Sequence, residues 1–158
     1  MMNTIILYAT KNGSTQKAAE LLAERIPGSA VFSIDNAPAN LAEYDTVVIG
    51  ACIRMGRVPR SVSSFMKERG NQLFAKRVAF FINCGFVDKA EDYLKANFDH
   101  FMLKRAVCCD TFGAELNIES MKGFDKFVSK LVTGKYDGQR PSLMTDRIDA
   151  FAKKLLDE

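Results

Sequence analysis

The chain reads as an α/β protein built on a doubly wound, five-stranded parallel sheet in the order 2-1-3-4-5, with helices on both faces. Three observations predict this. Short runs rich in apolar and β-branched residues recur along the 158 residues, segments with apolar positions at helical spacing separate them, and a hydroxyl-rich turn containing a glycine follows the first run. Strands that alternate with helices form βαβ units, whose right-handed crossovers cover both faces of a parallel sheet.

The elements follow in order. The first strand is Thr4–Ala9, after which Ala18, Leu22 and Ile26 share one helical face. Residues 30–34 form a weaker, more polar strand suited to a sheet edge. The Ala-, Asn- and Pro-rich stretch 35–43 then reduces the next crossover to a turn or a stub of helix. Residues 46–51 make the third strand, with Val62, Phe65 and Met66 on the helix behind it. Arg77–Asn83 makes the fourth, followed by a helix carrying Ala90, Leu94 and Phe98, with Asp88 and Glu91 at capping-box spacing. Residues 105–113 make the fifth. Four of these runs are almost continuously apolar, the pattern of strands buried on both sides. Two helices close the chain, one with Phe124, Val128 and Leu131, the other with Ile148, Phe151, Ala152 and Leu155, around a turn at 136–141.

Composition limits the function classes. A length of 158 residues suits one domain, 1–158, which buries roughly 70% of its extended-chain surface. With 47% hydrophobic and 26% charged residues, the chain has the make-up of a soluble globular protein. Its apolar runs are too short to span a bilayer, and the N-terminus enters a strand with no charged leader, so a cytoplasmic location is expected. The four cysteines, Cys52, Cys84, Cys108 and Cys109, form no C-x-x-C pair, and His100 is the only histidine, so packed thiols and no metal site are expected. A formal charge of +3 and a pI near 8.7 are too mild to indicate nucleic acid.

In an open parallel sheet of this order a ligand sits beyond the carboxyl ends of the strands, where the winding reverses between strands one and three. The segment Thr10-Lys11-Asn12-Gly13-Ser14-Thr15 lies there, leading straight into a helix. Exposed amide groups at a helix start carry partial positive charge, a glycine lets the backbone turn tightly, and hydroxyls donate hydrogen bonds: equipment for a phosphate. Ser14 alone would equally serve as a helix cap, but its position after the first strand favours the anion. No G-x-G-x-x-G follows a strand and no G-x-x-x-x-G-K-[ST] occurs, which excludes dinucleotide and P-loop motifs. Strand ends without an acidic cluster argue against a phospho-accepting receiver.

These residues carry a resemblance. The loop 10–15 resembles the T/S-x-T-G-x-T phosphate loop of flavodoxins, with Asn12 in place of the usual third-position Thr. The segment Val48-Ile49-Gly50-Ala51-Cys52-Ile53-Arg54-Met55-Gly56 is similar to the V-I-G-A-S-I-R-Y-G segment of the flavodoxin-like, menaquinone-dependent protoporphyrinogen oxidases of haem biosynthesis. The likeness continues through Phe80-Phe81-Ile82-Asn83 and Phe124-Asp125-Lys126-Phe127. Cys52 and Met55 replace the family's Ser and Tyr, and only residues 84–89 stand where those oxidases carry a longer insertion.

The resemblance implies a single flavodoxin-like domain with FMN as cofactor. Its phosphate would lie on Thr10, Lys11, Asn12, Gly13, Ser14 and Thr15. Its ring would lie against Ala51, Cys52, Ile53, Arg54, Met55 and Gly56, and against Asn83, Cys84, Gly85 and Phe86. With no Trp in the chain, Phe86, Met55, Ile53 and Tyr93 are the candidates to pack on the ring. Arg54 and Arg57, with Arg60 beside them, have the guanidinium forks to position an anionic substrate such as a porphyrin, and cannot act as general bases. The implied activity is electron transfer from a tetrapyrrole donor to a quinone. The alternative is a flavodoxin-type carrier docking redox proteins, although such carriers are strongly acidic; a flavin-binding regulatory module comes third. Lys122, Lys126 and Lys130 recur every four residues and raise peripheral contact with the inner face of the membrane, against an ordinary solvated helix face. The oligomeric state stays open.

Overall fold

Five parallel strands lie in the order β2-β1-β3-β4-β5 in a computed structural model that describes residues 3–11, 13–115 and 142–157. They are β1 (Thr4–Ala9), β2 (Ala30–Ser33), β3 (Thr46–Cys52), β4 (Arg77–Asn83) and β5 (Cys109–Thr111). The helices are α1 (Ser14–Glu24), α2 (Arg60–Phe74), α3 (Ala90–Asn97), α4 (His100–Arg105) and α5 (Thr145–Leu156). The helix expected around Phe124, Val128 and Leu131, its lysines Lys122, Lys126 and Lys130, and the turn at 136–141 lie outside the described residues. No helix among the described residues is long and apolar enough to cross a membrane.

Alternation along the central strands divides the interior in two. Ile5, Leu7, Val47, Ile49, Phe80 and Ile82 pack with Val62 and Phe65 of α2 and Leu94 of α3 on one side. On the other side, Ile6, Val48, Ala79 and Phe81 meet Ala18 and Leu22 of α1 and Ile148 and Phe151 of α5. The second layer is aromatic: the Phe81 ring stacks on Phe112 at 4.6 Å between centroids, and Phe151 meets both edge-on at 6.1 and 5.1 Å. Gly50 makes room for this cluster, since a Cβ there would stand 2.0 Å from Cζ of Phe81. The weak second crossover is a single 3-10 turn, Ile34–Asn36, as its composition suggests.

Two expectations need correction. The segment 105–113 is not strand throughout, because Asp99 accepts the Met102 N–H at 3.2 Å and so caps a short helix that runs through Arg105. Strand-like pairing begins only at Val107, whose N–H reaches Val78 O at 2.8 Å, and ends with Phe112 N–H on Ile82 O at 3.0 Å. The Arg105 guanidinium instead donates to Leu73 O, Phe74 O and Lys76 O, closing the carboxyl end of α2. The capping box of Asp88 and Glu91 does not form either. Asp88 lies inside a 3-10 turn, Val87–Lys89, and Glu91 pairs along the helix with Lys95 at 2.8 Å.

Candidate functional site at the carboxyl edge of the sheet

Strand register brings the candidate loops together. Ala9 lies beside Ala51, Cys52 beside Asn83, and Ile82 beside Thr111, so the segments leaving β1, β3, β4 and β5 emerge side by side. The edge between β1 and β3 is where the winding reverses.

The first loop is shaped by Gly13. Its φ of 84° is left-handed, its N–H donates to Thr10 Oγ1 at 2.9 Å, and its carbonyl accepts the first helical bond from Lys17 at 3.0 Å. The helix that follows has no side-chain cap and no acidic residue in its first turn, so the positive end of its dipole is not neutralised from within. Ser14 is not the cap: its Oγ accepts the Glu115 N–H at 3.2 Å, tying the segment after β5 to the start of α1. Glu115 also pairs with Lys17 at 2.7 Å. Thr15 is fully buried, and its Oγ1 has no hydrogen-bond partner among the described residues. An orphaned buried hydroxyl costs about 1–3 kcal/mol. A phosphate oxygen at this helix start would satisfy it. Lys11 is exposed, and Asn12 lies outside the described residues.

The second loop is a hairpin turn. Arg54 and Arg57 exchange backbone hydrogen bonds at 2.9 and 3.1 Å around Met55, φ 55°, and Gly56, φ 76°. Two left-handed central residues define a type I′ turn, and a non-glycine residue in that conformation stores about 1–2 kcal/mol. Met55 stands 74% exposed at the tip, with Arg54, Arg57 and Arg60 exposed around it. At its base, Ile53 N–H donates to Asn83 O at 2.8 Å. On the far side, Asn97 of α3 donates to Gly56 O at 2.9 Å and accepts the Val58 N–H at 3.1 Å. Cys52 is half-buried on the α1 side of the sheet. Burial pushes its thiol up, opposed by a hydrogen bond from the Lys11 backbone and the charges of Lys11 and Arg54.

The third loop divides its residues between edge and core. Asn83 is buried; its Nδ2 donates to Gly113 O at 2.9 Å, and its Oδ1 is the second orphaned polar atom of this edge. The Cys84 side chain turns inward, with Sγ 3.4 Å from Thr111 Oγ1 and 3.5 Å from Phe86 O, and burial pushes this thiol up as well. Only the Cys84 backbone is left to face a ligand, and it too bonds Gly113 O, at 3.1 Å. Gly85 and Phe86 are half-buried, and the Lys89 ammonium lies 5.5 Å from the Phe86 ring centre. Of the candidates to pack on a ring, Ile53 and Tyr93 lie against the core, leaving Met55 at the tip and Phe86 at the rim. Among the described residues no group of three or more His, Cys, Asp or Glu is placed to hold a metal ion.

Asn97 and Glu115 were not candidates in the sequence. Both act on partners far along the chain, and the one local signal, an Asn at the end of a helical pattern, says nothing about those partners.

Comparison with known proteins fits this geometry. A family model described as a flavodoxin domain matches residues 5–142. The chain is 25% identical over 173 residues to a protoporphyrinogen IX dehydrogenase [quinone] of Escherichia coli (strain K12), covering 98% of this chain and 94% of that protein. It is 22% identical to an NAD(P)H dehydrogenase (quinone) of Rhizobium rhizogenes, over 85% of this chain and 79% of the relative. Oxidised flavodoxin 1 from Bacillus cereus superposes with a TM-score of 0.62 at 16% identity, covering 99% and 98% of the two chains.

Proposed function

The chain belongs to the flavodoxin domain family, and from that premise we propose that it binds FMN at the carboxyl edge of its sheet and works as an oxidoreductase. The observation that carries the cofactor is the pairing of an uncapped, acid-free start of α1 with the orphaned Oγ1 of buried Thr15. Ser14 would offer its backbone N–H to the phosphate and Thr15 its hydroxyl, donors suited to an anion at a helix start, while Gly13, its N–H held by Thr10 Oγ1, would shape the turn. Bound FMN supplies hydride and one-electron chemistry; the protein supplies placement and electrostatics. The turn 54–57 and the segment 83–86 would flank the ring.

Within that reading the substrate is a tetrapyrrole-type donor and the acceptor a quinone. Support comes from the near full-length likeness to a protoporphyrinogen IX dehydrogenase [quinone] and from Arg54 and Arg57, whose exposed guanidinium groups suit porphyrin carboxylates. A carrier without its own substrate is the second reading, favoured by the short segment between β4 and α3, which leaves only residues 84–89 to build a substrate pocket.

Anaerobic mixing separates the two. FMN-loaded protein bleached by protoporphyrinogen and recoloured by a menaquinone analogue supports the oxidase; loaded protein inert to both supports the carrier. A protein that takes up no added FMN defeats the cofactor assignment.

A further inference from the structure

The turn between β3 and α2 closes through two backbone bonds between Arg54 and Arg57, around Met55 in a left-handed conformation that residues with a Cβ disfavour. Further restraint comes from other elements. Ile53 N–H is held by Asn83 O of β4 at 2.8 Å, and the other limb is held by one side chain of α3. Asn97 Nδ2 donates to Gly56 O at 2.9 Å and to Tyr93 O at 2.8 Å, while its Oδ1 accepts the Val58 N–H at 3.1 Å. The bond to Tyr93, one helical turn back, locks the amide to its own helix; the other two reach across 41 and 39 residues to the turn. A side chain that only closed the end of α3 would need the first of these bonds and neither of the others.

The geometry points to Asn97 as the positioning residue of the turn that flanks the flavin ring. By holding Gly56 O and Val58 N–H it sets where Met55 stands and how far the backbone of 54–57 lies from the ring, so it acts on flavin through the turn and not by contact. The proposal rests on the FMN reading above.

The test compares the parent protein with Asn97→Ala, Asn97→Asp and Thr15→Val. Asn97→Asp keeps an acceptor for Val58 but has no donor for Gly56 or Tyr93, and it carries the test if the alanine variant does not fold. In the apoprotein, amide exchange at Arg54 and Arg57 is expected to rise about tenfold in both Asn97 variants, with the β3 amides of Val47 and Ile49 unchanged. In flavin titrations both variants should weaken FMN and riboflavin together, by about tenfold, because the turn reads the ring that the two ligands share. Thr15→Val should weaken FMN alone. The midpoint potential of the bound flavin should also shift in the Asn97 variants, which loss of stability by itself would not produce. Parent protein that binds both flavins, with Asn97 variants that bind them as tightly and exchange Arg57 no faster, overturns this proposal alone. Parent protein that takes up neither flavin overturns the FMN reading and this proposal together.

Discussion

Thr15→Val is the substitution on which the site stands most directly. It exchanges the hydroxyl for a methyl group of nearly the same shape, at a fully buried position in the first turn of α1 where the two residues have similar helix propensity. In the empty protein Oγ1 is unpartnered, so removing it relieves a desolvation penalty of about 1–3 kcal/mol. Apoprotein stability should therefore rise by about 1 kcal/mol, or about 2–4 °C in Tm for a chain of this size. In the proposed FMN complex the same hydroxyl would donate to a charged phosphate, a bond worth about 1.5–3 kcal/mol, so FMN should bind about ten- to hundredfold more weakly. The two effects have opposite signs, which general damage to the helix cannot imitate. Urea unfolding of apoprotein and a fluorescence titration with FMN read them separately. A valine variant that is less stable when empty, and binds FMN as the parent does, would refute the reasoning.

Three further outcomes are expected. Gly50→Ala should lower the urea midpoint by the equivalent of about 1–3 kcal/mol or more, because its Cβ falls 2.0 Å from a Phe81 ring that Phe112 and Phe151 prevent from moving aside; Phe81→Leu in the same chain should recover part of the loss. Burial pushes the Cys108 thiol up to about 12 and Cys109 up to about 11 from the ordinary value of 9.0. Folded values above unfolded ones mean that this stabilisation is complete below pH 9 and is lost as pH climbs through 11 to 12, so unfolding scans across that window should fall less steeply for Cys108→Ala/Cys109→Ala than for the parent. Arg54→Ala and Arg57→Ala should each raise the KM for a porphyrinogen about three- to tenfold, as steady-state kinetics would show.

The sheet was legible because its signals are local. Thr4–Ala9 and Arg77–Asn83 are apolar almost without interruption, and Ala18, Leu22 and Ile26, or Ile148, Phe151, Ala152 and Leu155, repeat at helical spacing on faces that do become buried. The fifth strand is expected from Arg105 because Ala106, Val107 and Cys108 continue its apolar run; the Asp99 cap instead starts a short helix that takes in Arg105, after Phe98 has left α3 in an extended conformation. That a glycine-bearing turn leads from β1 into α1 at the carboxyl edge could be read from Thr10, Gly13 and Thr15 together with strand order. Its tie to Glu115 could not, since Ser14 and Glu115 are 101 residues apart and meet only once β1 and β5 are in place. Cys84 lies on the segment after β4, where the alternation of side chains turns its thiol toward Thr111 and leaves the backbone at the edge.

What remains is why departures from ordinary folding rules gather at one edge of the sheet. Along the described strands and helices, apolar faces are buried, Asp99 caps the start of α4 and Arg105 closes the carboxyl end of α2. At the carboxyl edge α1, like α2, α3 and α5, begins without a side-chain cap, Met55 adopts a left-handed φ, and two buried side-chain polar atoms without partners among the described residues, Thr15 Oγ1 and Asn83 Oδ1, lie at the start of α1 and the end of β4. Each departure is destabilising by about 1–3 kcal/mol, and together they are a sizeable fraction of the 5–15 kcal/mol that holds a domain folded. Ligand binding offsets such a cost by mass action, by about 2.7 kcal/mol when the free ligand stands at a hundred times its Kd. An anion on α1 with a planar ring against the turn at 54–57 would answer two of the departures directly, the uncapped helix and the Thr15 hydroxyl. The Met55 conformation is different, for Asn97 already holds it from behind, and a turn so held is in place before the ligand arrives.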